Sequence, residues 1–153
     1  MNIRYNVAMK AQKQNEHSRR FLQAAGIRPT RQRMALADLL FDGCDKHMTA
    51  EQIHDTLVKS RARVALATVY NTLHQFTAAG LLHQVVIDSN QIYFDTNTGS
   101  HHHFFDQSTG ELHDIPADHI HIAKLPKAPK GRTIADVEVI IRLRPTAKNA
   151  AAN

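Results

Sequence analysis

The chain has 153 residues, enough for one ordinary domain or two small ones, and 42% hydrophobic residues supply a core. Its 19 basic residues outnumber 14 acidic ones for a formal charge of +5, while no apolar run approaches the roughly 20 residues that span a bilayer and no signal-peptide stretch opens the chain. Membrane function is thereby excluded and a cytoplasmic protein is expected; the single Cys44 excludes an intramolecular disulfide and any zinc site built from Cys-x-x-Cys pairs, and is expected to be a small buried side chain.

Charge is concentrated at the front. Residues 1 to 33 hold eight basic side chains, Arg28, Arg31 and Arg33 among them, against Glu16 alone, as suits a surface that approaches a polyanion. Residues 1 to 16 show little apolar periodicity and are expected to form an adjustable arm. His17 to Ala25 is a short helix ended by Gly26. Pro29 prevents its continuation and Thr30 caps the next helix, whose buried stripe is Leu36, Leu39 and Leu40. Thr49-Ala50-Glu51-Gln52 has the form of a capping box and opens a third helix with Ile53 and Leu57 turned inward.

The stretch from Ala65 to Phe76 predicts the helix that matters most. Leu66, Val69, Leu73 and Phe76 recur at three- and four-residue intervals, while Ala67, Thr68, Asn71, His74 and Gln75 point the other way and Tyr70 lies on the flank. That outer face is small, polar and uncharged at its start, so it can lie close to base edges, where Asn reads adenine and Thr or Ala meets a thymine methyl. An amphipathic core helix with a solvated back would show the same pattern; its neighbours in the chain decide. Gly80 closes the helix, Leu81 to Ile87 and Gln91 to Asp95 are β-prone, and Asp88-Ser89-Asn90 is turn chemistry. Three helices and then a hairpin is the order of a winged helix-turn-helix, which lays its last helix in the major groove.

A polar turn at Thr96 to Ser100 sets the expected boundary between residues 1–96, the DNA-binding domain with its arm, and residues 97–146; residues 147–153 read as a disordered tail. The second half reads as strands at His101 to Asp106 and Glu111 to Ile115, one or two helical turns within Asp118 to Lys124, and an alternating strand from Val137 to Arg144. The fold class is thus α+β, a winged helix-turn-helix joined to a small α/β domain. Some fifty residues build a meagre core alone, so this unit is expected to pair with its copy. A homodimer would present two recognition helices about one turn of double-stranded DNA apart, matching a palindromic operator.

Five motifs in order, Gly26-x-Arg28-x-Thr30-x-x-Arg33, Thr49-Ala50-Glu51, Leu66-Ala67-Thr68-Val69-Tyr70, Phe76-x-x-Ala79-Gly80 and His101-His102-His103, resemble the ferric uptake regulator family. The resemblance covers about residues 17 to 144 and implies a homodimeric winged-helix regulator whose C-terminal domain senses metal. It places Thr68 and Tyr70 at base-contacting positions, Arg28 at a minor-groove position and Arg33 facing phosphate; Asn71 stands where many members have arginine. It further implies sensor ligands at His47, Asp95, the triplet, Asp114 and Asp136. The cysteine pairs of zinc-stapled members are missing: the matching region reads Phe105-Asp106-Gln107-Ser108-Thr109-Gly110.

The triplet with Phe-Phe after it, Leu112-His113-Asp114-Ile115-Pro116 and the closing Val-Ile-Ile-Arg-Leu-Arg run look like the iron response regulator (Irr) branch. That implies a factor of iron limitation acting on haem synthesis, iron storage and uptake genes, and responding to haem held by His101, His102 or His103; the Cys-Pro haem motif of some members does not occur here. On a strand, His101 and His103 face one side and His102 the other, so two sites, or one axial haem ligand plus a structural pair, fit better than one ion held by all three. For imidazole with carboxylate, Fe2+, Mn2+ and Zn2+ are all chemically reasonable. The rival reading is a conventional metal-dependent member. Metal-assisted hydrolysis stands well behind, since the chain shows no nucleophile motif and no phosphate-cradling glycine loop; a third class is a protein whose C-terminal half mainly binds another protein.

Overall fold

The computed structural model describes residues 3–146, with side chains from residue 9 onward; the expected tail at 147–153 lies outside the described residues. The chain divides into two compact units, one through Thr98 and one from Gly99. In the first, α1 (Ile3–Ala24), α2 (Arg31–Leu40), α3 (Ala50–Lys59) and α4 (Leu66–Ala78) accompany a sheet of β1 (His47–Met48), β2 (His83–Asp88) and β3 (Gln91–Asp95) in the order β1-β3-β2. Local chemistry sets these boundaries. Thr30 Oγ1 accepts the Arg33 N–H at 3.3 Å to start α2. Thr49 and Gln52 exchange hydrogen bonds of 2.9 and 3.3 Å to start α3, a complete capping box. Gly80, at φ 73, lets the Leu81 N–H return to the Phe76 carbonyl at 2.9 Å and stops α4.

Val69, Leu73 and Phe76 of α4 are fully buried against Leu22, Leu36, Leu40 and Ile53. At roughly 1.5–3 kcal/mol for each such side chain, this seam fixes the orientation of the helix, and with it the opposite face. Phe21, Phe41 and Phe76 extend the seam as a run of tilted rings, with centroids 4.6 and 5.8 Å apart.

Several elements depart from expectation. α1 begins at Ile3, taking in most of the expected arm, because residues 3–16 are rich in Ala, Lys, Gln and Met, strong helix formers that need no apolar stripe. Leu66 is 37% exposed rather than part of the buried stripe, since it occupies the first turn, before the helix reaches the core; Thr72 is buried instead. Leu39 is half-buried, and Met34 and Ala37 join Leu36 and Leu40 in the core. Cys44 is exposed, in the loop between α2 and β1.

The second unit is a three-stranded sheet of β4 (His101–Asp106), β5 (Glu111–Pro116) and β6 (Ile140–Leu143) in the order β5-β4-β6, with β4 antiparallel to β5 and parallel to β6. The helical turns expected within Asp118 to Lys124 reduce to a 3-10 turn at Ala117–His119, and the proline-broken chain then runs irregularly to β6. Apolar side chains of this unit, Ile122, Leu125, Ile134, Ile141 and Leu143, are exposed by 36–47%. No helix of the described residues is long and apolar enough to cross a membrane.

Candidate functional site

The outer face of α4 carries Ala67 and Asn71, both exposed, with Thr68 and Tyr70 half-buried beside them. Ala65 contributes no side-chain cap, while the Thr68 and Val69 N–H groups bond its carbonyl at 3.0 and 3.1 Å. Arg33 reaches across to this helix: its Nε donates to Gln75 Oε1 at 3.0 Å and its Nη1 to the Arg28 carbonyl at 2.9 Å. The guanidinium thus ties the loop bearing Arg28 to α4 and is held in place before any ligand arrives. Arg28 and Arg31 are exposed. Tyr70 donates its hydroxyl proton to Glu51 Oε1 at the start of α3, and its ring stacks on His74 at 6.4 Å. This contact keeps the Glu51 carboxyl below the usual carboxylate range, helped by the Glu51 backbone N–H, and raises the Tyr70 phenol above its usual value, with burial and the Glu51 charge adding to it.

In the second unit, strand alternation sets His101 and His103 on one face, with ring nitrogens Nε2 to Nε2 at 3.0 Å. Antiparallel pairing places Asp114 opposite His103, and Asp114 Oδ1 lies 3.6 Å from both Nε2 atoms. One ligand atom of each of these three residues lies within 4.8 Å of the others. His101 Nδ1 bonds the Gly99 carbonyl at 2.7 Å, and His103 Nδ1 bonds Glu138 Oε1 at 2.9 Å. A carbonyl and a carboxylate only accept, so each Nδ1 carries a proton, and in the neutral imidazoles each Nε2 then presents its lone pair. Two lone pairs facing each other at 3.0 Å repel; a cation between them, at the roughly 2.0–2.1 Å typical of zinc–imidazole bonds, turns that repulsion into binding. Two imidazoles, a carboxylate, and a second carboxylate orienting one imidazole fit a divalent transition-metal ion.

The sequence missed Glu138. It expected Asp136, but the Asp136 carboxylate accepts the next backbone N–H, that of Val137, at 2.8 Å. The parallel pairing of β6 with β4 begins where His103 N–H bonds the Val139 carbonyl, and this brings Glu138 beside His103; the sequence signal was its place in the alternation from Val137 to Arg144. His102 is buried on the other side, and its Nδ1 accepts the Val139 N–H at 3.3 Å. In the first unit, His47 and Asp95 pair across β1 and β3, with His47 Nε2 3.4 Å from a fully buried Asp95 carboxylate. Asp95 also accepts the Asn97 N–H at 2.7 Å.

The model of the ferric uptake regulator family matches residues 24–142. This chain belongs to that family. The ferric uptake regulation protein of Pseudomonas fluorescens is 35% identical over 100 residues, 65% of this chain and 81% of that protein. The peroxide-responsive repressor PerR of Staphylococcus aureus is 32% identical over 100 residues, 65% of this chain and 67% of that protein. Among solved structures, the ferric uptake regulator of Pseudomonas aeruginosa with manganese superposes with a TM-score of 0.63 at 27% identity, covering 84% of this chain and 97% of that one. The protein is therefore a metal-responsive transcriptional regulator of a family that is not enzymatic, with the α+β fold of ferric uptake regulators. Family members bind operator DNA as dimers.

Proposed function

We propose that this ferric uptake regulator family member is an operator-binding homodimer that controls iron homeostasis genes, and that a divalent ion held by His101, His103 and Asp114, with Glu138 orienting His103, sets its DNA affinity. The observation that carries the reading is the approach of the His101 and His103 Nε2 atoms to 3.0 Å beside Asp114. When bound, the ion supplies positive charge that offsets this crowding. The chain's own residues do the rest: Gly99 and Glu138 hold the tautomers, and β5 holds the carboxylate. His47 and Asp95, paired across β1 and β3 of the first unit, are a separate pair of donors for an ion. In the DNA unit, Ala67, Thr68, Tyr70 and Asn71 face the bases, Arg28 enters the minor groove, and Arg31 and Arg33 meet the backbone. The exposed Ile122, Leu125, Ile134, Ile141 and Leu143 support pairing of the second unit with its copy.

Haem is the second reading, in the manner of the Irr branch. Its support is His102, whose Nδ1 is committed to Val139, so that a porphyrin iron would take Nε2. His102 is itself buried, which leaves a porphyrin little access to its Nε2 and ranks haem behind the metal. Gel shifts on a selected operator, with Fe2+, Mn2+, Zn2+ or haem added in turn, separate the two. Metal-strengthened binding that His103→Ala abolishes supports the first reading. Haem-dependent change that His102→Ala abolishes, with no metal effect, replaces it.

A further inference from the structure

We propose that Glu51 is a positioning residue that decides which hydrogen-bonding group on a base edge Tyr70 reads. The inference rests on α4 being the base-facing helix and deepens that reading. A phenol is amphoteric: it donates its one proton or accepts through its oxygen. In a major groove that ambiguity is costly for discrimination, because base edges are told apart by their order of donors and acceptors. The Tyr70 hydroxyl is already committed as a donor to Glu51 Oε1. Held in this way, its oxygen presents only lone pairs to the groove. It therefore meets the amino groups, adenine N6 or cytosine N4, and not guanine O6, guanine N7 or thymine O4.

Three features keep the commitment one-way. Glu51 sits in the first turn of α3, one residue after Ala50 and two after the Thr49 cap, so the capping box that fixes the start of α3 also fixes this carboxylate. The Glu51 carboxyl is held below its ordinary value, first by the Tyr70 hydroxyl and then by its own backbone N–H, which favours the ionised form, an acceptor with no proton to give back. The Tyr70 ring stacks on His74, at 6.4 Å and 24°, which limits its swing away from Glu51. A carboxylate on a face that approaches phosphates weakens binding to every duplex alike. Selectivity through Tyr70 is what it returns.

The test is selection of bound duplexes from a randomised pool by the full metal-loaded chain, its Glu51→Ala, Glu51→Gln and Tyr70→Phe variants, and the Glu51→Ala/Tyr70→Phe double variant. Thermal unfolding confirms that each is folded. Wild type is expected to prefer an amino-bearing base at one position of each half-site. Glu51→Ala is expected to lose about tenfold in that preference, in the lower part of the range for a base contact, while binding random duplex more tightly. Glu51→Gln, whose carbonyl still accepts the Tyr70 proton, restores the preference, which a merely structural role would not require. In the Tyr70→Phe background, Glu51→Ala changes nothing further at that position. An unchanged motif in Glu51→Ala overturns the proposal, as does a motif change from Glu51→Ala when Tyr70 is already Phe, since Glu51 would then read the base itself. A wild-type chain that enriches no motif fails at the base-facing helix itself, a different failure from an intact motif in Glu51→Ala.

Discussion

Residue by residue, His101, His103 and Tyr70 are each paired with a partner that only accepts, which places one proton of each. Gly99 and Glu138 accept and so set the protons of His101 and His103; Glu51 accepts and so takes the proton of Tyr70. The last pair has a pH signature. Glu51 is depressed in the folded state, so its contribution to stability is present above the ordinary carboxylate range and lost as pH falls through its folded value. Tyr70 is raised, so its contribution is complete below the ordinary phenol value of about 10 and lost as pH climbs through the folded one. Residue-resolved NMR of the tyrosine Cζ resonances should find Tyr70 ionising late in wild type and at the ordinary pH in Glu51→Ala. Tyr93, raised by its burial and then by the Asp88 charge, should stay late in both. A Tyr70 titration indifferent to Glu51 would refute the pairing.

Among the elements, those with local signatures were legible in the sequence and those that depend on pairing were not. Thr30, the Thr49–Gln52 box and Gly80 are boundary residues whose chemistry acts within a turn or two, and α2, α3 and α4 start or stop at them. The alternation at His101 to His103 likewise carried through to opposed faces. β1 is two residues long and exists only because β3 pairs with it, which no local pattern announces. Glu138 reaches His103 through a parallel pairing that joins strands 35 positions apart in sequence, so the sequence favoured Asp136 instead. One boundary runs against local preference. Arg61 ends α3 at φ 64, where Gly26 and Gly80 do the same for α1 and α4. A non-glycine residue in that conformation costs about 1–2 kcal/mol, part of which glycine returns through its freer unfolded chain. Arg61→Gly is therefore expected to stabilise the first unit by about 0.5–1 kcal/mol, read as a higher urea midpoint with an unchanged slope. A lower midpoint would mean that the arginine side chain outweighs the backbone.

For the whole molecule, a unit built to present a small, polar helix face is joined in one chain to a unit built to gather imidazole and carboxylate, in a family of metal-responsive transcriptional regulators. The first was readable because its core is local, with α4 seated on neighbouring helices. The second was readable only in part, because its short strands leave apolar side chains exposed and its completion is assigned here to a second copy. In the proposed function, ion binding at His101, His103 and Asp114 and DNA binding by α4 are coupled, and coupling between binding sites is reciprocal. The most direct measurement is calorimetric titration of Mn2+ into the chain alone and into the chain saturated with its selected operator. Coupling predicts tighter binding with operator present, by at least about fivefold, and no such gain in His103→Ala. Equal affinity with and without operator in the wild-type chain would contradict it.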